Sequence, residues 1–279
     1  QEVHLSITFK SIIVNQKNLE YLKDQIKYTG FGEGFEAPLK RMMEIEKPAF
    51  KLVHETQFGT DKVEARMNFS KSKQTDMYFF NSYQVSVQKE NNPDEAMKQT
   101  FYINKGNNIT LKEAYNLMEG RSVNKDLTNK EGQLYNAWLQ MDFKQSDDNG
   151  NFKIQQYHQN YGYDLEATLS KHPIKELENE TYKSNLIDSL KKGNLQSATF
   201  QKEGSEQKQY IEANPRFKTI NIYDSNMQRV DNRQSKTEKQ SEAQSRSAKQ
   251  KHKGQEQPIN DEAPDIPKAK KKRKRPTIT

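Results

Sequence analysis

Every aromatic side chain in this sequence precedes residue 231: the 13 Phe, 13 Tyr and single Trp leave none for residues 231–279. Those last residues carry 14 Lys plus Arg against 7 Asp plus Glu, whereas residues 1–230 carry 31 of each. The whole formal net charge of +7 therefore belongs to the tail. A segment with nothing large to bury cannot offset the entropy of ordering its chain, so residues 231–279 are expected to form a disordered, basic C-terminal tail. Residues 1–230 are long enough to bury about 70% of their extended-chain surface.

Only 32% of the residues are hydrophobic, against about 45–50% in ordinary globular proteins, so one uniformly packed globule of all 279 residues is not expected. No apolar run approaches the roughly 18 residues that a membrane-spanning helix needs, and no membrane association is expected. The opening QEVHLSITFK has no apolar core of signal-peptide length, so secretion by that route is not expected either. With no cysteine, disulfides, thiolate nucleophiles and Cys-ligated zinc are excluded, which suits a reducing cytoplasm.

Hydrophobic periodicity points to an α+β fold of repeated small units, each a short amphipathic helix followed by an antiparallel β-hairpin. The first unit, within residues 1–100, has a predicted helix over Phe35 to Ile45. Predicted strands follow at Ala49 to Glu55, Val63 to Phe69 and Met77 to Val87. Alternation places Val63, Ala65, Met67 and Phe69 on one face, and Met77, Phe79, Tyr83, Val85 and Val87 on another.

Residues 101–230 hold two further units. Thr110 with Glu113 three residues later is a capping-box arrangement, and Gly120 is the matching stop. Tyr135, Ala137, Leu139, Met141 and Phe143 alternate with Asn136, Trp138, Gln140, Asp142 and Lys144, the pattern of a half-buried strand. Asp148, Asn149 and Gly150 turn the chain into a second strand over Phe152 to Tyr163. The last unit runs from a helix over Ser184 to Lys192, stopped by Gly193, through strands at Gln196 to Gln201, Gln209 to Ala213 and Lys218 to Tyr223.

The candidate nucleic-acid-binding residues are the tail cations Lys268, Lys270, Lys271, Lys272, Arg273, Lys274 and Arg275. Charge of one sign at this density extends the chain and suits a phosphate backbone, where each neutralised phosphate releases counterions. The competing readings are a solubilising tail or an address signal. Tyr157, Tyr161 and Tyr163 share a face on strand alternation, which fits core packing better than base stacking.

Gly30, Gly32 and Gly34 have GxGxG spacing with Glu33 and Glu36 beside them. A lead-in loop fits better than a phosphate cradle. The five histidines have no metal-binding helical spacing, DDNGN at 147–151 is a turn and not an EF-hand loop, and no nucleophile elbow occurs. No cofactor, metal or enzymatic activity is expected.

The stretches QTFYINKGNNITLKEAYNLMEGRSVNKDL (99–127), YNAWLQMDF (135–143), YHQNYGYDLE (157–166), LKKGNLQSATF (190–200) and IEANPRFKTINIYDSNMQRV (211–230) strongly resemble a protein family carried on conjugative transposons of gut anaerobes, domain-of-unknown-function family 3945. TGFGEGF (29–35) and TDMYFFNSY (75–83) resemble its N-terminal part. Related modules occur appended to type IA topoisomerases. The resemblance implies a bacterial cytoplasmic role in handling or transferring element DNA, with topoisomerase or conjugation proteins as partners. It brings no catalytic residues, and no toprim-like acidic motif is present.

The expected function is a non-enzymatic accessory protein of a mobile genetic element, a DNA-associated scaffold whose tail holds nucleic acid. The alternatives are a protein–protein interaction adaptor without direct nucleic-acid binding and an unrecognised DNA-processing enzyme.

Overall fold

The first helix, α1 (Gln16–Ile26), starts where Asn15 accepts a hydrogen bond from the Asn18 amide, a cap contributing about 1 kcal/mol. It buries Leu19, Leu22 and Ile26 along one stripe. The structure is a computed structural model that describes residues 14–230 apart from Lys105 and Glu203. The expectation of a disordered tail over 231–279 lies outside the described residues. Asn18, also buried, pairs like a strand with Tyr78: its Nδ2 donates to Tyr78 O at 2.9 Å, and its Oδ1 accepts from Tyr78 N at 2.7 Å.

After a single wide turn at 27–31, α2 (Glu36–Glu44) buries Leu39 and Met43. Four antiparallel strands then form a meander: β1 (Ala49–Phe58), β2 (Asp61–Lys71), β3 (Tyr78–Lys89) and β4 (Asn92–Tyr102). Val63, Ala65, Met67 and Phe69 do share the buried face of β2. The expected face of β3 needs correction. Met77 and Phe79 are exposed while Tyr78 and Phe80 are buried, because the pairing steps from Asn68↔Ser82 to Phe69↔Phe80. The extra residue, Asn81, makes a β-bulge, and a one-residue step moves every side chain before it to the opposite face.

Helix α3 (Leu111–Met118) carries the full capping box: the Glu113 amide donates to Thr110 Oγ1, and the Thr110 amide donates to Glu113 Oε2 at 2.8 Å. All its residues except Lys112 are buried. Three antiparallel strands follow in the order β5 (Val123–Thr128), β6 (Leu134–Ser146) and β7 (Phe152–His158). Then come α4 (Leu165–Leu169) and α5 (Glu180–Lys191). The last sheet comprises β8 (Gln196–Lys202), β9 (Ser205–Asn214) and β10 (Thr219–Tyr223), with β9 central. The fold is α+β, three antiparallel meanders each preceded by helix.

Two hydrophobic clusters fill this frame. The first joins α1, α2, α3 and the four-stranded sheet to Val123, Leu139 and Met141 of the middle sheet. The second joins Trp138 to Leu165, Leu169, Leu186, Leu190, Ile211, Ile220 and Ile222. Trp138, which alternates with polar residues along β6, is therefore buried. Both faces of that strand are covered at its centre, so simple alternation does not divide it into an inside and an outside.

Polar joints fasten the meanders together. The Gln99 side chain pairs with the Phe152 backbone, its Oε1 accepting from Phe152 N at 2.8 Å and its Nε2 donating to Phe152 O at 3.3 Å. At the other joint Asn116 Nδ2 donates to Lys192 O at 2.7 Å, and Arg121 Nε donates to Gly193 O at 3.0 Å. Gly193, at φ +76°, leaves no room there for a Cβ, which would lie 2.9 Å from Val123 Cγ2 and 3.0 Å from Ser122 O.

Candidate functional site

β9 ends in the sequence Asn-Pro-Arg-Phe-Lys, and local chemistry forces a tight turn there. The Asn214 side chain accepts from Phe217 N at 3.4 Å, Pro215 opens a short 3₁₀ turn over Pro215–Phe217, and Lys218 closes it at φ +52°. A left-handed backbone is uncommon for a residue with a Cβ and stores strain. Asn214 and Pro215 are buried, while Arg216, Phe217 and Lys218 project outward, Phe217 with 67% of its surface exposed.

Two tyrosines from distant sequence pin this turn from its two sides. Tyr161 Oη donates to Arg216 O at 2.8 Å, and Tyr163 Oη donates to Thr219 O at 3.0 Å. β7 stops at His158, so of the three tyrosines expected on one strand face only Tyr157 is in the strand. Tyr163 packs edge-on to Trp138, with ring centroids 5.3 Å apart, and Tyr157 rests against the second cluster. Tyr161, 38% exposed, lies 5.1 Å from the Tyr157 ring. Burial pushes both the Tyr157 and Tyr163 hydroxyls above their ordinary pKa.

Cations sit against these rings. Lys218 Nζ lies 4.7 Å from the Tyr161 centroid, and Arg216 Cζ lies 5.4 Å from the Phe217 centroid. Among the described residues neither Arg216 nor Lys218 has a carboxylate partner, in contrast to Lys23, Lys27, Lys71, Lys89, Lys125, Lys175 and Lys183. Beside Arg216 opens a cleft of about 410 Å³ bordered by Gln140, Asp142, Lys144, Gln155 and Tyr157. Asp142 is engaged within it, accepting from the Lys144 amide at 3.0 Å and from Gln155 Nε2 at 3.4 Å.

Two other charged places are internally matched, whereas Lys112, 4.2 Å from the Phe58 and 4.7 Å from the Tyr115 ring centroid, has no carboxylate partner among the described residues either. A cleft of about 640 Å³ between β4, α3 and the β6–β7 turn includes Lys89 and Glu119. Lys89 bonds both Glu119 and Asp61, and Tyr115 Oη donates to Asp61 at 2.9 Å. Burial opposes the charge on Lys89, but the two carboxylates outweigh it and raise its pKa. The glycine loop is likewise closed on itself: Lys27 meets Glu33 at 2.6 Å and Lys23 meets Glu36 at 2.7 Å. Asp147, Asn149 and Gly150 form the β6–β7 turn. Among the described residues no three His, Asp or Glu side chains converge as a metal site, and no helix is long and apolar enough to cross a membrane.

The tail residues Lys268, Lys270, Lys271, Lys272, Arg273, Lys274 and Arg275 lie outside the described residues. Arg216 and Phe217 fall between the expected strands at Gln209 to Ala213 and Lys218 to Tyr223 and make no periodic pattern, and Lys218, expected to open the second strand, instead closes the turn. The Asn-Pro pair was the available signal for a turn, but nothing local announces tyrosine partners 55 and 56 residues away. Comparison with protein-family models, with curated proteins and with solved structures finds no match for the chain.

Proposed function

We propose that this protein is a non-enzymatic accessory protein of a mobile genetic element, holding nucleic acid through its cationic tail while the α+β body acts as scaffold. The observation that carries this reading is the segregation of charge: 31 cations balance 31 anions up to residue 230, and the whole excess of +7 follows. Ion pairs such as Lys89 with Asp61 and Lys125 with Glu113 match part of the body's charge internally. The tail has 14 cations for 7 anions, with seven of those cations inside residues 268–275. The resemblance to family 3945 supplies the setting, a bacterial cytoplasm in which element DNA is processed or transferred, with conjugation proteins or a topoisomerase alongside.

Seven phosphate contacts give a slope of log affinity against log salt of about −6. Such contacts position the protein without reading base sequence. A duplex-DNA titration at several salt concentrations tests the reading with the full chain and with a chain ending at Val230, which keeps every described helix and strand. The full chain is expected to bind with that slope and the shortened chain to lose most of the affinity. Equal affinity would remove the tail from the function.

A further inference from the structure

We propose that the Asn214–Lys218 turn is a single-stranded nucleic-acid platform on the body itself: Phe217 receives an unpaired base, and Arg216, Lys218 and Lys144 receive the adjoining phosphates. The proposal rests on the nucleic-acid reading above for the class of ligand and adds a site, a strand state and the residues that read it.

An isolated exposed apolar residue needs no explanation in a folded protein. Phe217 is different because its exposure is built. An asparagine cap, a proline, a left-handed lysine and two tyrosine hydroxyls from another segment together hold its ring outward. A side chain presented on a strained but well-braced turn is what a binding contact requires, since the order is in place before the ligand arrives.

Charge selects the ligand. Arg216 and Lys218 flank the ring, lie against aromatic faces and have no carboxylate partner among the described residues. Lys144 lines the adjoining cleft together with Asp142, where Gln140 Nε2 already donates to Gly120 O at 3.1 Å and Gln155 Nε2 to Asp142 at 3.4 Å. Cations interleaved with aromatic faces match alternating phosphates and bases, and stacking on a ring tolerates any base. A duplex keeps its bases stacked on one another, so it can use the cations of this turn but not the ring.

The test uses the full chain and labelled oligonucleotides of about twelve nucleotides, within the span of such sites: a deoxyribo strand, a ribo strand and a duplex. Phe217→Ala is expected to weaken binding of the single strands about tenfold while changing duplex binding less than about twofold. Phe217→Tyr, which keeps a stacking ring, is expected to match the original protein. The two single-strand arms separate DNA from RNA, and a loss on either supports the site. Replacing the seven tail cations by Gln in the same chain is expected to weaken all three ligands together.

If Phe217→Ala leaves both single strands unchanged, or weakens duplex equally, the platform is overturned even when the tail variant shows the tail binding. If instead the tail variant binds as the original does, the tail reading fails, and the single-strand loss in Phe217→Ala still stands on its own. Absence of binding by the original protein to every probe would overturn both.

Discussion

The glycine loop at 27–36, with Lys27 on it and Lys23 on the preceding helix, and the turn at 214–218 are both bends that carry an aromatic residue and cations, yet they are opposite in character. In the loop Phe31 points inward, 3% exposed, and packs edge-on to Tyr83 and His54, while Lys23 and Lys27 are met by Glu36 and Glu33. In the turn the ring points outward and the cations face solvent. A hydrophobic anchor fixes one bend, and hydrogen bonds to its carbonyls fix the other. Cations beside a bend become available to a ligand only where the chain supplies no carboxylate to claim them.

The two phenylalanines should separate most widely in stability. Phe31→Ala is expected to cost about 3–5 kcal/mol and Phe217→Ala within about 0.5 kcal/mol, both read by urea denaturation. A large loss for Phe217→Ala would mean that its ring is structural. Next in size, Tyr163→Phe is expected to cost about 1 kcal/mol and to speed amide hydrogen exchange around residues 217–219. Unchanged exchange would show that the tyrosine is no brace.

Acid should act on the loop and leave the turn's hydroxyl braces untouched. Burial holds His54 below its ordinary pKa, so the unfolded chain takes up the proton first. That contribution to stability is complete above pH about 6.5 and falls as pH drops below it. His172, also held low by burial and by Lys171, acts in the same direction in the second cluster. A pH series of melting temperatures on the original protein and His54→Gln checks this, the variant showing the shallower acid decline. The smallest effect is expected from Glu33→Gln, which frees Lys27. Melting should not move, while the salt slope of DNA binding steepens by about 0.9 if the released lysine reaches a phosphate. An unchanged slope would show that the loop, even unmatched, is no contact.

Much of the architecture was legible because amphipathic pattern and capping chemistry are local. The Thr110 box, the Gly193 stop and the buried face of β2 all follow from residues within a few positions of one another. β4 escaped notice because NPDEAMKQTFY carries polar side chains at most positions, and its place is set by pairing with β3. The face of β3 was misassigned for a nonlocal reason, a bulge at Asn81, and the burial of Trp138 among polar neighbours on β6 likewise comes from a second core beyond it. The turn at 214–218 was illegible for the same cause, since its braces come from Tyr161 and Tyr163 across the fold.

Strand β6 gives Leu139 and Met141 to one cluster and Trp138 to the other. The two interiors consequently share a party wall. Cutting the chain on either side of that strand would strip one interior of its lining, so heat or denaturant should dissolve both together in a single transition. Evolution, too, would find it hard to add or delete one meander here as beads are added to a string, because the middle one belongs to its neighbours as much as to itself.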